Sequence, residues 1–123
     1  MVKQQGIVMA ELQLLVDDVV VKSFPLDKAL ISIGRSPSND IVIDEEAVSG
    51  EHAKIELIPN DLLDGLIDTF IEDLGSTNGT FVNDEPVQRQ QLQNSDYIRI
   101  AWTDFKLVSD KNVKVAKTSV IVQ

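Results

Sequence analysis

Apolar and polar residues alternate with a period of two in several short runs. Leu12, Leu14 and Val16 stand against Glu11 and Gln13, Ala53, Ile55 and Leu57 against Lys54 and Glu56, and Ile98 and Ile100 against Tyr97 and Arg99. Side chains that change face at every step predict half-buried strands. Between the runs lie Asp17-Asp18, SPSND (36–40), Pro59-Asn60-Asp61, Asn78-Gly79 and Asn94-Ser95-Asp96. These residue types bond their own backbone or accept positive φ, so each cluster predicts a turn. Asn78-Gly79 is in addition a strong hairpin signal. No segment carries a convincing helical period. The stretch DLLDGL (61–66) has room for one helical turn, but Gly65 makes a loop an equal reading. Short strands punctuated by turns, without crossover helices, predict an all-β fold, an antiparallel sandwich or barrel. There is no internal repeat and no linker.

The chain has 123 residues, 43% of them apolar and 25% charged, which fits one globular domain with a packed core. With no Cys and only His52, disulfides and zinc sites built on Cys or on two histidines of one chain are excluded. No metal and no cofactor is expected. The net charge of −9 disfavours nucleic acid as a partner, because neutralising phosphates takes many Lys and Arg. Glu11, Asp17, Asp18 and Lys22 interrupt the most apolar region, which stays short of the about 18 apolar residues of a membrane span. The first residues carry too short an apolar run for a signal peptide, so a cytoplasmic location and no membrane contact are expected. Composition changes at the end: residues 111–123 hold three Lys and no acid, +3 against −12 for the rest. A domain over 1–110 and a tail or additional edge strand over 111–123 follow.

Three segments gather hydrogen-bond donors at expected strand ends: GRSPSNDI (34–41), VSGEHA (48–53) and DLGSTNGTFVN (73–83). Loops on one edge of a sandwich bring distant positions together on a rigid scaffold. Arg35 offers a guanidinium fork, Ser49 and Thr77 hydroxyls, Asn78 an amide, and Gly50 and Gly79 accessible backbone N–H groups. Donors without a base suit a phosphate dianion, which Arg grips in bidentate fashion. A hydrolase centred on Ser49 and His52 lacks both the spacing and the nucleophile elbow of known triads, so no enzyme activity is expected.

In this order and spacing, the three segments resemble the signature blocks of the forkhead-associated (FHA) domain, over about residues 7 to 109. The resemblance implies a β-sandwich of about eleven strands, whose loops at one end bind a phosphothreonine-containing peptide or protein made by an upstream Ser/Thr kinase. It assigns phosphate contacts to Arg35, Ser49 and Thr77, a nearby backbone N–H to Gly50, and the hold on the ligand backbone to Asn78. Gly34, His52 and Gly79 match positions that support the loops.

One departure stands out. Asp44-Glu45-Glu46 precede Ser49 where many relatives place a cation. Three acids beside a phosphate-binding arginine predict modest, salt-sensitive affinity and ligands with basic flanks. They also motivate the alternative of a phosphate-independent protein scaffold. With Asp40 they read as a solvated acidic face, since no calcium-loop spacing is present. In the tail, Thr118 is followed three residues later by Ile121, so a phosphorylated Thr118 offers a route to self-association.

Overall fold

The computed structural model describes residues 10–60, 62 and 65–109. The tail and the idea of a phosphorylated Thr118 lie outside these residues. Eleven strands follow one another: β1 (Ala10–Val16), β2 (Val19–Pro25), β3 (Leu30–Gly34), β4 (Ile41–Val42), β5 (Ala53–Pro59), β6 (Ile67–Asp73), β7 (Thr80–Val82), β8 (Glu85–Pro86), β9 (Arg89–Leu92), β10 (Tyr97–Ile100) and β11 (Thr103–Ser109). One sheet has the order β2-β1-β11-β10-β7-β8 and the other β4-β3-β5-β6-β9. The expected all-β sandwich is therefore observed. One pair departs from the antiparallel rule: β4 runs parallel to β3, pairing Ile41 with Ile33 and Val42 with Gly34.

The alternating runs face the core as expected at Ala53, Ile55, Ile98 and Ile100, all at most 1% exposed. The first run deviates. Leu15 is buried and Val16 exposed, and beside them the register against β2 shifts: Leu14 pairs with Lys22 and Leu15 with Val20, which leaves Val21 as an extra residue on β2. The core joins Leu12, Ile33, Ile55, Ile71, Phe105 and Leu107 from both sheets. Phe105 is buried and meets Phe24 at a tilted 59° with ring centroids 6.4 Å apart.

The turns sort by backbone. Asp17 and Asp18 both have positive φ, the geometry of a two-residue hairpin between β1 and β2. Asn83 and Asp84 do the same between β7 and β8, a turn that the alternation did not mark. Asn78-Gly79 is no hairpin, because β6 and β7 lie in different sheets and the loop carries the chain across the sandwich. In the β5–β6 loop, Gly65 has φ +86° and Asn60 N–H donates to the Leu66 carbonyl at 3.0 Å, which favours the loop reading over a helical turn.

Candidate functional site

Three loops meet at one end of the sandwich: 35–40 after β3, 43–52 after β4 and 74–79 after β6. Arg35 N–H donates to the Ser49 carbonyl at 2.9 Å and Ser36 N–H to the Gly50 carbonyl at 3.1 Å, zipping the first loop to the second. Asn39 Nδ2 adds bonds to the carbonyls of Ser36 (2.9 Å) and Gly50 (2.7 Å). This close approach is why Gly34 must be glycine. A Cβ there would lie 2.2 Å from the Gly50 oxygen and 2.8 Å from Asn39 Nδ2. A Cβ on Gly50 meets nothing within 4 Å. Gly34→Ala is therefore expected to destabilise the protein by about 2–3 kcal/mol, and Gly50→Ala by less than about 0.5 kcal/mol. Thermal denaturation of both variants checks this contrast.

His52 joins the second loop to the third. Its ring is fully buried. Nδ1 accepts from Ser49 N–H at 3.1 Å, so the ring proton sits on Nε2, which donates to the Gly79 carbonyl at 2.8 Å. The ring thus meets the main chain of Ser49 and not its hydroxyl, so it braces loops and does not activate a nucleophile. Ser49 Oγ accepts from Thr77 N–H at 3.1 Å, which leaves the hydroxyl proton to donate outward. Asn78 Nδ2 donates to the Ala47 carbonyl at 2.8 Å, so part of its amide is already used to hold the second loop.

The third loop is organised by Asp73, which the sequence reading passed over. Oδ2 accepts from the N–H groups of Gly75 and Ser76, both at 3.0 Å, and Oδ1 from the hydroxyls of Ser76 (2.6 Å) and Thr80 (2.7 Å). Burial pushes this carboxyl upward, but the bonds from Ser76, Thr80 and Gly75 outweigh it and hold the group below its ordinary 3.8. Ser76 Oγ in turn accepts from Gly79 N–H at 2.9 Å. Gly79 has φ +89°, and a Cβ there would press on the Phe81 ring at 3.1 Å. Asp73, Ser76 and Asn39 are the site-shaping residues that motif reading missed. The only signal in the sequence was an Asp followed at +3 by Ser, a spacing common to many turns.

The five residues assigned to ligand contact, Arg35, Ser49, Gly50, Thr77 and Asn78, are thereby gathered on these three tied loops. Charge pairing separates Arg35 from the other cations. Lys28 pairs with Asp40, Lys54 and Arg89 with Glu56 and Glu72, and Arg99 with Asp84 and Asp104. Lys22 and Lys106 lie over the rings of Phe24 and Tyr97. Among the described residues, exposed Arg35 alone has neither a carboxylate nor a ring partner. Asp40 leaves the proposed acidic face: Lys28 and then Ser32 bond it, and these bonds lower its carboxyl. Asp44, Glu45 and Glu46 remain exposed and have no cationic partner among the described residues.

Comparison with known proteins agrees with this architecture. The FHA domain model matches residues 31–101, more than half of the chain. Glycogen accumulation regulator GarA of Mycobacterium tuberculosis is 41% identical over 85 residues, 69% of this chain and 47% of GarA. The oxoglutarate dehydrogenase inhibitor of Corynebacterium efficiens is 38% identical over 85 residues, 69% of this chain and 54% of that protein. The chain thus spans about half the length of these curated relatives. A solved FHA domain studied for phosphothreonine-dependent interactions superposes with a TM-score of 0.69 at 30% identity, covering 81% of this chain and 95% of that one. Eleven strands in two sheets, three signature loops tied at one end and these matches together show that the chain belongs to the FHA domain family.

Proposed function

We propose that the chain is a phosphothreonine-dependent binding module that reads a cytoplasmic protein after a Ser/Thr kinase has modified it. The observation that carries this reading is the Arg35 guanidinium, without a carboxylate or ring partner among the described residues and set on the loop that is zipped to Ser49 and Gly50. The Ser49 hydroxyl proton and the Gly50 N–H, free among the described contacts, supply further donors for the remaining oxygens of a phosphate. Gly34, His52 and Gly79 hold the loops in place. The Thr77 hydroxyl completes the phosphate contacts, and the unused edge of the Asn78 amide takes the peptide backbone. The similar FHA domain studied for phosphothreonine-dependent interactions supports the ligand class. Relatives named as a regulator and an inhibitor support a role in control and not in turnover.

A second reading, a scaffold that binds protein without phosphate, is favoured only by the exposed acids Asp44, Glu45 and Glu46. Fluorescence anisotropy separates the two, using one peptide sequence in phosphothreonine, phosphoserine and unphosphorylated forms. Binding is expected for the phosphothreonine form and absent for the unphosphorylated one. The phosphoserine form should bind about fivefold more weakly, the value of one buried methyl at about 1 kcal/mol. Because the phosphate brings about −1.5 to −2 charges toward three acids, lysine-flanked peptides should outbind glutamate-flanked ones, and the difference should shrink with salt. Equal binding of all three forms would overturn the phosphate reading.

A further inference from the structure

A groove of about 510 Å³ is lined by residues of the β1–β2 hairpin, of edge strand β4 and the loop after it, and of the turn into β11. Leu14, Phe24, Ile43 and Phe105 line it. Val42 and Trp102 stand in its walls and are 43% and 71% exposed. Asp17, Asp44, Glu45 and Asp104 also line it. Asp104 is held by Arg99, whereas the other three have no cationic partner among the described residues. An apolar groove rimmed by free carboxylates fits a segment that carries both lysines and aliphatic side chains.

We propose that the chain's own C-terminal segment, residues 111–123, covers this groove, with Lys114 and Lys117, the lysines that the reach of the chain brings to it, on Asp17, Asp44 and Glu45 and the aliphatic residues around them against Trp102. Charge complementarity is the first argument. Lys111, Lys114 and Lys117 alternate with Val113 and Val115, no acid intervenes, and Val120-Ile121-Val122 follow. Reach is the second. β11 ends at Ser109 opposite Ala10, while Asp104 lies opposite Leu15 at the groove end of the same ladder. The segment must therefore double back over five residues of strand, about 17 Å. Residues 110–123 span up to about 46 Å when extended, which leaves enough chain to lie along the groove.

The groove wall at Ile43 and Glu45 belongs to the loop that carries Ser49, held through bonds from Glu45 N–H to the Ile43 carbonyl and from Val48 N–H to the Glu45 carbonyl. Lysines seated there would neutralise acids beside the Arg35 loop. The proposal needs no phosphorylation of Thr118 and stands apart from the reading of the phosphate site.

Trp102 is the only tryptophan of the chain, so its emission reports on the groove directly. The test compares the full chain with the full-length K111E/K114E/K117E variant at about 0.02 M and 0.5 M salt. In low salt the wild type should emit to the blue of the variant and lose about half of its quenching by acrylamide, because a residue 71% exposed becomes covered. High salt should move the wild type toward the variant. D44K/E45K should uncover Trp102 as well, and combining both sets of charge reversals should restore the blue-shifted emission. Identical emission and quenching of wild type and K111E/K114E/K117E in low salt would overturn the proposal. So would a blue shift that disappears on dilution, since the occupant would then be a second copy.

Discussion

Arg35→Ala is expected to lower affinity for a phosphothreonine peptide by at least about 100-fold while leaving the fold intact. Each hydrogen bond from a guanidinium to a charged acceptor contributes about 1.5–3 kcal/mol, and a bidentate grip supplies two of them. About 3 kcal/mol is already a factor above 100, and the surrounding acids Asp44, Glu45 and Glu46 offer nothing in its place. Stability should change by less than about 0.5 kcal/mol, because the Arg35 side chain has no partner among the described residues to lose. Arg35→Lys keeps the charge and loses the planar fork, so it should fall between the two. Titration of each variant with one labelled peptide, beside its melting curve, checks the whole series. Unchanged binding by a folded Arg35→Ala protein would remove phosphate recognition from this loop.

The three tied loops were legible in the sequence because their residue types are unusual together. Much of the rest was not, for identifiable reasons. Alternation marks the strand at 10–16, yet the register shift at Leu14 and Leu15 depends on pairing with β2, which no local pattern encodes. β4 and β8 contain two residues each, too few to show a period. Asn78-Gly79 has the composition of a hairpin turn, but the sheet assignment of β6 and β7 decides otherwise. Asn39 and Asp73 look like ordinary loop residues until their partners are known. Asn39 reaches eleven positions along the chain to Gly50, and Asp73 reaches seven to Thr80. Residues that satisfy backbone groups across a fold are visible only once the fold has brought those groups together.

Asp73 is where that hidden support should show its largest effect. Removing its carboxylate by Asp73→Ala leaves the buried Thr80 hydroxyl and the donors of Gly75 and Ser76 without their acceptor. Part of that loss is recovered by water at the exposed loop, so the expected cost is about 3–4 kcal/mol and not the sum of four bonds. For a domain of this size the melting temperature should fall by about 10 °C or more. Asp73→Asn keeps the shape, and its amide oxygen can accept the Gly75 and Ser76 N–H groups while Nδ2 turns to the Ser76 and Thr80 hydroxyls, which must then accept in place of donating, so it should rescue part of the loss without the charge. The pH dependence separates charge from packing. A carboxyl held below 3.8 in the folded state stabilises above that value, and this contribution is lost as pH falls through the lowered folded value. The lowered carboxyls of Asp40, bonded by Lys28, and Glu56, bonded by Arg89, act in the same direction. Wild-type stability should therefore drop as pH falls below about 4, and Asp73→Asn should flatten that limb without abolishing it. Because Thr77 and Asn78 ride on the loop that Asp73 ties down, the variant should also bind phosphothreonine peptide more weakly at neutral pH. An Asp73→Asn protein with wild-type melting temperature and an unchanged acid limb would show that the loop is held by its backbone path and the His52 bridge alone.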